Sequence, residues 1–295
     1  MHDRFAAALA RRQGLLDNTS NAVRLVDGEG DQLPGIFLES YAGRWLVATH
    51  GDDLPPPARA WLTESGRSVY WKRLDQHQKQ DPVHLCGPAQ SGPFVIHEHH
   101  TAFEVSFQSG YSQGIFLDQR DNRRIVSELA ATSVLNTFAY TGGFSVCAAR
   151  AGAQTTTLDL SQVYLDWARR NFALNQIDPL SQHFCKGDTF HWLRRFAKQQ
   201  RRFEGIILDP PTFSRDADGK VFRVEKDYPQ LVALALACLA PNGWILCSTN
   251  CRKLPAYEFE MMLREGAARP VELSDSPMPA DFTGEQYLKS IWLRT

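Results

Sequence analysis

Beyond residue 134 the chain alternates between two hydrophobic periods, and that alternation restricts its fold more than any other feature. Strands are expected at 134–138, an apolar run, and at 154–159, 182–186, 204–209 and 243–249. Between them, 143–151, 161–174, 188–198, 226–239 and 255–267 read as helices, and a last strand is expected at 287–293. Strands joined by helical crossovers run parallel, so the spacing predicts an α/β fold with a Rossmann-like doubly wound sheet. No internal repeat or low-complexity segment interrupts it.

In such a sheet ligands collect beyond the carboxyl ends of the strands, and there the sequence places polar and conformationally special residues. After the first of these strands come Tyr140, Thr141, Gly142 and Gly143, a tight turn leading into a helix. Glycine lets backbone approach a ligand closely, and the amides of a helix start favour an anionic group. Asp159 ends the second strand, where a carboxylate accepts both ribose hydroxyls of a nucleoside. It stands equally well as the cap of the next helix, together with Ser161. Asp188 follows the third strand and fits an adenine amino group. Asp209 ends the fourth, within Asp209-Pro-Pro-Thr-Phe-Ser214. The two prolines fix φ and withhold N–H donors, so this loop is stiff and its carbonyls stay available to a planar amino or amide edge. Phe213 is then placed to stack on a base. The plainer alternative is a strand-ending turn with a core phenylalanine.

The first hundred residues have a different texture. Strands are expected at 22–26, 45–49, 69–73 and 94–96, with turns at Gly28-Glu-Gly-Asp31 and Leu33-Pro-Gly35 and a short helix after Pro55-Pro-Pro57. The reading is a small α+β domain with an antiparallel sheet over 1–100, followed by a larger domain over 101–295. Phe103, Val105 and Phe107 alternate, so 101–113 is expected as a strand entering the larger domain. His97-Glu-His-His100 invites a metal, but alternation puts His97 and His99 on one face and Glu98 and His100 on the other, so no metal is expected.

Composition narrows the setting. No run of about 18 apolar residues is present, so no membrane span is expected. The N-terminal apolar stretch is too short for a signal peptide and reads as an amphipathic helix. The six cysteines, Cys86, Cys147, Cys185, Cys238, Cys247 and Cys251, form no C-x-x-C pair, which fits a reducing cytoplasm better than a zinc site. A formal net charge of -1 excludes a general polyanion binder, so nucleic-acid binding requires a local basic face. Arg215, Lys220, Arg223 and Lys226 after the fourth strand, with Arg252 and Lys253 after the fifth, are candidates on the ligand edge.

As a set, these features resemble class I methyltransferases that use S-adenosylmethionine. Gly114-Ile-Phe-Leu-Asp-Gln-Arg-Asp121, Phe138-Ala-Tyr-Thr-Gly142, Leu158-Asp-Leu-Ser161, Trp167-Ala-Arg-Arg-Asn171 and Asp209-Pro-Pro-Thr-Phe-Ser214 are similar to the family of bacterial large-subunit rRNA methyltransferases. The likeness runs from about Asn21 to the end of the chain. It implies cofactor contacts at Tyr140, Thr141, Gly142, Asp159, Asp188 and Asp209, and a base of rRNA as target. Asp118 and Arg120 are expected beside the charged amino-acid end of the cofactor; as an alternative, Asp118 caps the helix expected at 120–130.

Two departures matter. Many cytosine-modifying members of the family carry a further N-terminal RNA-binding domain, and only about twenty residues precede Asn21 here. Those members also have a nucleophilic cysteine after the fifth strand. This chain instead has Ser248-Thr-Asn-Cys-Arg252, similar to the Ser-Asn-Asn run of the guanine-N7 branch, with Asn250 at the nucleophile position and Cys251 one residue beyond. Cytosine C5 needs transient thiolate attack at C6. Guanine N7 offers a lone pair and needs only placement. The sequence therefore favours guanine N7, positioned by Asp209, Pro210, Phe213 and Asn250. Cytosine C5 through Cys251, a non-RNA substrate, and RNA binding without catalysis are the alternatives.

Overall fold

The computed structural model describes residues 1–51, 53–75, 80–110, 112–215 and 221–295. The chain divides into two compact units, one of residues 1–120 with 279–286 and one of 121–278 with 287–295. The boundary expected at residue 100 thus falls inside the first unit, and a short late segment returns to it.

In the first unit, helix α1 (His2–Arg12) buries Phe5 and Ala8, as its amphipathic pattern predicts. Strands β1 (Ala22–Asp27), β2 (Ile36–Tyr41), β3 (Arg44–Thr49), β4 (Val69–Arg73) and β5 (Val83–Cys86) form a sheet in that order, with helix α2 (Pro56–Glu64) between β3 and β4. The sheet is not wholly antiparallel as expected: β3 and β4 run parallel, because α2 supplies the crossover such a pair needs. Ala42 and Gly43, both at positive φ, make the two-residue turn between β2 and β3. The core gathers Val23, Val26, Leu38, Val47 and Leu62. Over it Trp61 stacks between Phe5 and Trp45, at 4.2 and 5.4 Å.

Strand β6 (Phe94–Glu98) pairs antiparallel with β7 (Thr101–Val105) in a separate hairpin. β7 therefore stays in the first unit instead of entering the larger sheet. His99 and His100 are its turn residues, both at positive φ, so His99 does not share a strand face with His97. Among the described residues no group of His, Cys, Asp or Glu is placed to hold a metal ion, and no helix is long and apolar enough to cross a membrane.

The returning segment is bound by polar contacts. Asp281, fully buried, accepts from the Arg24 amide at 2.8 Å and from both terminal nitrogens of Arg120 at 2.9 and 2.6 Å. Buried Arg12 donates to the Asp281 carbonyl and to Thr283 Oγ1. Gly30 lies so close to Thr283 that a Cβ there would collide with its backbone.

Helix α3 (Arg120–Glu128) opens the second unit and follows a 3-10 turn, Leu117–Gln119. Asp118 sits inside that turn, two residues ahead of the helix. Then come β8 (Ser133–Thr137), α4 (Gly143–Arg150), β9 (Gln154–Asp159), α5 (Gln162–Leu174), β10 (His183–Lys186), α6 (Thr189–Lys198) and β11 (Phe203–Leu208). A short hairpin, β12 (Phe213–Arg215) and β13 (Val221–Arg223), leads to α7 (Val224–Leu236), β14 (Leu239–Thr249), α8 (Ala256–Ala267), β15 (Glu272–Ser276) and β16 (Lys289–Arg294). The seven-stranded sheet has the order β10-β9-β8-β11-β14-β16-β15. The first five strands run parallel, and β16 is antiparallel to both its neighbours. The sheet is thus α/β and doubly wound, with a mixed edge. Its order reverses between β8 and β11, the switch point at which such sheets open a crevice.

Candidate active site

The strand register assembles the site. Leu208, Thr137 and Leu158 are neighbours across β11, β8 and β9. One residue further along, Asp209, Phe138 and Asp159 leave the sheet together, with Lys186 beside Asp159. With adjacent strands about 4.8 Å apart, the two carboxylates straddle β8 at roughly 10 Å.

The turn after β8 is held in an uncommon conformation. Phe138 and Tyr140 both have φ of 51°, and Gly142 has 76°. Left-handed backbone costs a non-glycine residue about 1–2 kcal/mol. Two hydrogen bonds offset that cost: the Ala139 amide donates to the Leu158 carbonyl at 3.0 Å, and the Tyr140 amide to Asp159 Oδ2 at 2.8 Å. Gly142 meets helix α5 so closely that an added Cβ would lie 2.8 Å from the Ala168 Cβ. Fully buried Asn171, also on α5, donates to the Thr141 carbonyl at 2.9 Å. Beneath the turn, Ser145 links Asn136 and Thr157 in a buried network. Helix α4 then begins at Gly143 with no side-chain cap, so its first amides lack partners within the helix.

Asp159 is held by backbone amides on both carboxylate oxygens, and the cap of α5 is Ser161 alone. Oδ1 takes the Ser161 amide at 2.8 Å while Oδ2 holds Tyr140. With the Leu160 amide also acting on it, three backbone amides hold this carboxylate, and its roughly four lone-pair positions leave room for a further donor. Burial pushes the Asp159 carboxyl above its ordinary value, against the opposing pull of the Ser161, Tyr140 and Leu160 amides. Asp188 caps α6 by accepting from the His191 amide at 2.8 Å. The Tyr140 ring packs edge-to-face on Tyr164, with centroids 4.6 Å apart.

On the other side of β8, the loops after β11 and β14 are tied together. Thr212 Oγ1 donates to Asn250 Oδ1 at 2.9 Å. Pro210 is buried, whereas Phe213 is 52% exposed. Below them, the buried Tyr228 hydroxyl reaches the carbonyls of Leu208 and Ser248, at 2.9 and 3.1 Å, bridging the last turns of both strands. Burial, helped by Cys247 and Asp209, holds this phenol protonated well above its ordinary range. Cys251 is only 3% exposed, within the apolar cluster that contains Leu254 and Phe259. Its thiol faces Glu225 Oε1 at 3.6 Å, and its carbonyl accepts from Lys289 Nζ at 2.8 Å. Burial raises the Cys247 thiol far above the usual range and pushes Cys238 up to about 11.

Sequence reasoning missed Tyr228, Asn171 and Tyr164. Asn171 closes the Trp167-Ala-Arg-Arg-Asn171 run, but no periodicity reveals that its amide supports a turn thirty residues away. Asp118 and Arg120 belong to the first unit, where Arg120 pairs with Asp281. Of the basic loop residues, Arg223, Lys226 and Lys253 are exposed, and the Arg252 guanidinium lies over the Tyr287 ring. Lys220 lies outside the described residues.

A family model of S-adenosylmethionine-dependent methyltransferases matches residues 53–277. The chain belongs to that family. The methyltransferase is 32% identical to the ribosomal RNA large subunit methyltransferase I of Aeromonas salmonicida, over 97% of this chain and 76% of that protein. It is 31% identical to the ribosomal RNA large subunit methyltransferase K of Neisseria meningitidis, over 94% of this chain and 80% of that protein. Its structure resembles SMU.776 complexed with SAH, with a TM-score of 0.90, 27% identity, and coverage of 100% of this chain and 80% of that one. The S-adenosylmethionine-dependent methyltransferase of Agrobacterium tumefaciens shares the fold at a TM-score of 0.75 and 20% identity, with coverage of 94% and 90%. The cofactor of this methyltransferase is therefore S-adenosylmethionine. Asp159 and the uncapped start of α4 lie on the carboxyl edge of the sheet, where sheets of this kind take their ligands.

Proposed function

We propose that this methyltransferase modifies a base of large-subunit rRNA, and that the acceptor atom is guanine N7. The rRNA assignment rests on the relatives, which are named as rRNA large subunit methyltransferases along nearly the whole of this chain. The acceptor assignment rests on one observation above others: Asn250 stands beside the Asp209-Pro-Pro loop, bonded to Thr212, while Cys251 is packed into the core. A thiolate nucleophile needs an accessible, activated sulfur. Cys251 is buried, and its sulfur faces the Glu225 carboxylate.

Bound S-adenosylmethionine supplies an electrophilic methyl group on a sulfonium. The residues of the chain do the rest by placement. Asp159 takes the ribose hydroxyls, Asp188 takes the adenine amino group, and Tyr140, Thr141 and Gly142 shape the turn around the cofactor. Asp118 and Arg120, expected from the sequence at its amino-acid end, lie in the first unit, where Asp281 holds the Arg120 guanidinium. Asp209 and the Pro210 carbonyl accept from the amino edge of the guanine, Phe213 stacks on its face, and Asn250 fixes its rotation. The N7 lone pair is then aligned with the methyl group, and proximity and orientation supply the rate.

Nucleoside mass spectrometry of large-subunit rRNA from cells with and without the protein tests this reading. Loss of one 7-methylguanosine, restored by the wild-type gene, is expected. Loss of a 5-methylcytidine, with a Cys251 adduct on 5-fluorocytidine RNA, would replace guanine by the cytosine mechanism. An unchanged rRNA profile would remove rRNA as the substrate.

A further inference from the structure

We infer that the outer face of α6 is a second RNA contact, a stripe of cations that grips phosphates flanking the target nucleotide. The inference rests on the rRNA reading above and extends it to a surface outside the cofactor and base sites.

Helix α6 buries Phe190, Leu193 and Phe196 on one side. His191, Arg194, Arg195 and Lys198 are exposed on the other. Their spacing of 0, 3, 4 and 7 residues places all four on a single stripe, about 10 Å long at 1.5 Å per residue. No acidic residue occurs between Thr189 and Arg202. Cations three and four apart repel one another on a helix.

Several arginines on other helices of this unit are paired with a carboxylate of their own helix. Arg124 pairs with Glu128 on α3, Arg169 with Asp166 on α5, and Arg264 with Glu260 on α8. Among the described residues, no ion pair involves the α6 cations. Instead Arg195 lies over the Trp192 ring at 4.9 Å and Arg194 near the Phe190 ring at 6.0 Å. A guanidinium stacked on a ring keeps its N–H fork free for a bidentate phosphate. The surroundings keep the same sign. Lys186 is exposed on the neighbouring edge strand β10, and α7, which packs against α6, carries its acids only in its first turn.

Position selects the occupant. The helix starts at Asp188, on the carboxyl edge of the sheet where the cofactor binds, and the stripe begins within its first turn. A polyanion leaving the site over this edge meets His191 first and Lys198 last. With a net charge of only -1 on the whole chain, the concentration of cations here is local, as specific RNA placement requires.

The test is the triple variant Arg194→Gln, Arg195→Gln, Lys198→Gln, titrated with unmodified large-subunit rRNA transcript at several salt concentrations. The expected result is weaker binding and a log–log salt slope shallower by about 2, since each single-strand phosphate released from a cation removes about 0.7. S-adenosylmethionine affinity and thermal midpoint should stay at wild-type values. The charge-retaining variant Arg194→Lys, Arg195→Lys, Lys198→Arg should recover most of the slope. An unchanged slope in a wild type that binds the transcript would overturn this surface and leave the rRNA reading in place. A wild type with no salt-dependent affinity for the transcript would overturn both. Loss of binding to phosphatidylglycerol vesicles, with RNA binding intact, would assign the stripe to a lipid surface instead.

Discussion

At the scale of single residues, Asp159 and Tyr228 carry the sharpest expectations. Asp159→Asn replaces one acceptor oxygen by a donor that faces either the Tyr140 or the Ser161 amide. It also leaves fewer lone pairs for the proposed ribose contact. Calorimetry should show S-adenosylmethionine affinity reduced tenfold or more, a loss of about 1.4 kcal/mol; an unchanged affinity in the folded variant would remove this residue from the cofactor site. Because burial raises this carboxyl above its ordinary 3.8, the fold binds more protons than the unfolded chain between 3.8 and the raised value. Stability from this group therefore declines as pH rises through that window. Cofactor affinity runs the other way, since hydroxyls donate to the charged form: it is full above the raised value and falls as pH drops through it. Tyr228→Phe removes the hydroxyl between the Leu208 and Ser248 carbonyls. We expect about 1 kcal/mol less stability, unchanged cofactor affinity, and a lower kcat, because Asp209 and Asn250 ride on those two strand ends. If kcat holds while stability falls, the tyrosine is a core residue and does not position the loops.

At the scale of elements, the glycine turn and α5 act as one piece. Gly142→Ala meets two obstacles, a φ of 76° and a contact with Ala168. Adding Ala168→Gly relieves only the second. Thermal denaturation should therefore show Gly142→Ala strongly destabilised and the double variant only partly restored, since left-handed alanine still costs about 1–2 kcal/mol; full restoration would show that crowding alone demands the glycine. This part of the fold was legible. Strands β11 and β14 carry apolar runs, β8 to β11 alternate with helices, and Asp159, Asp188 and Asp209 stand at or just past strand ends as expected. Strands β5 and β15 were not, for a physical reason. Val83–Cys86 and Glu272–Ser276 lie at sheet edges and are largely exposed, so pairing, not burial, creates them. β2 was hidden because Leu33-Pro-Gly35 suggested only a turn, while the alternation of Ile36, Leu38 and Ser40 begins immediately after it. The Asn171 support and the Tyr228 bridge depend on tertiary neighbours that no local pattern encodes.

At the scale of the whole molecule, the pairing of Arg120 with Asp281 joins residues 161 apart in sequence, which is why nothing in the sequence announced it. Removing one partner of a buried pair leaves an uncompensated charge, so Asp281→Ala should cost about 3–5 kcal/mol by denaturant unfolding. A loss under about 1 kcal/mol would mean that water reaches Arg120. Arg120→Ala should be comparably damaging, so lost activity in that variant reports on the cofactor only if stability is measured alongside. The returning segment also bears on biosynthesis. Domains usually fold as they emerge, N-terminal first, but here the first unit lacks Asp281 and Thr283 until the whole stretch 121–278 has been made. At about 5–20 residues per second, the ribosome needs roughly ten to thirty seconds to pass from residue 120 to residue 286. During that interval the nascent first unit holds the Arg12 and Arg120 guanidiniums and the Arg24 amide around an unfilled acceptor position, and a chain released early leaves those donors without the residue they share.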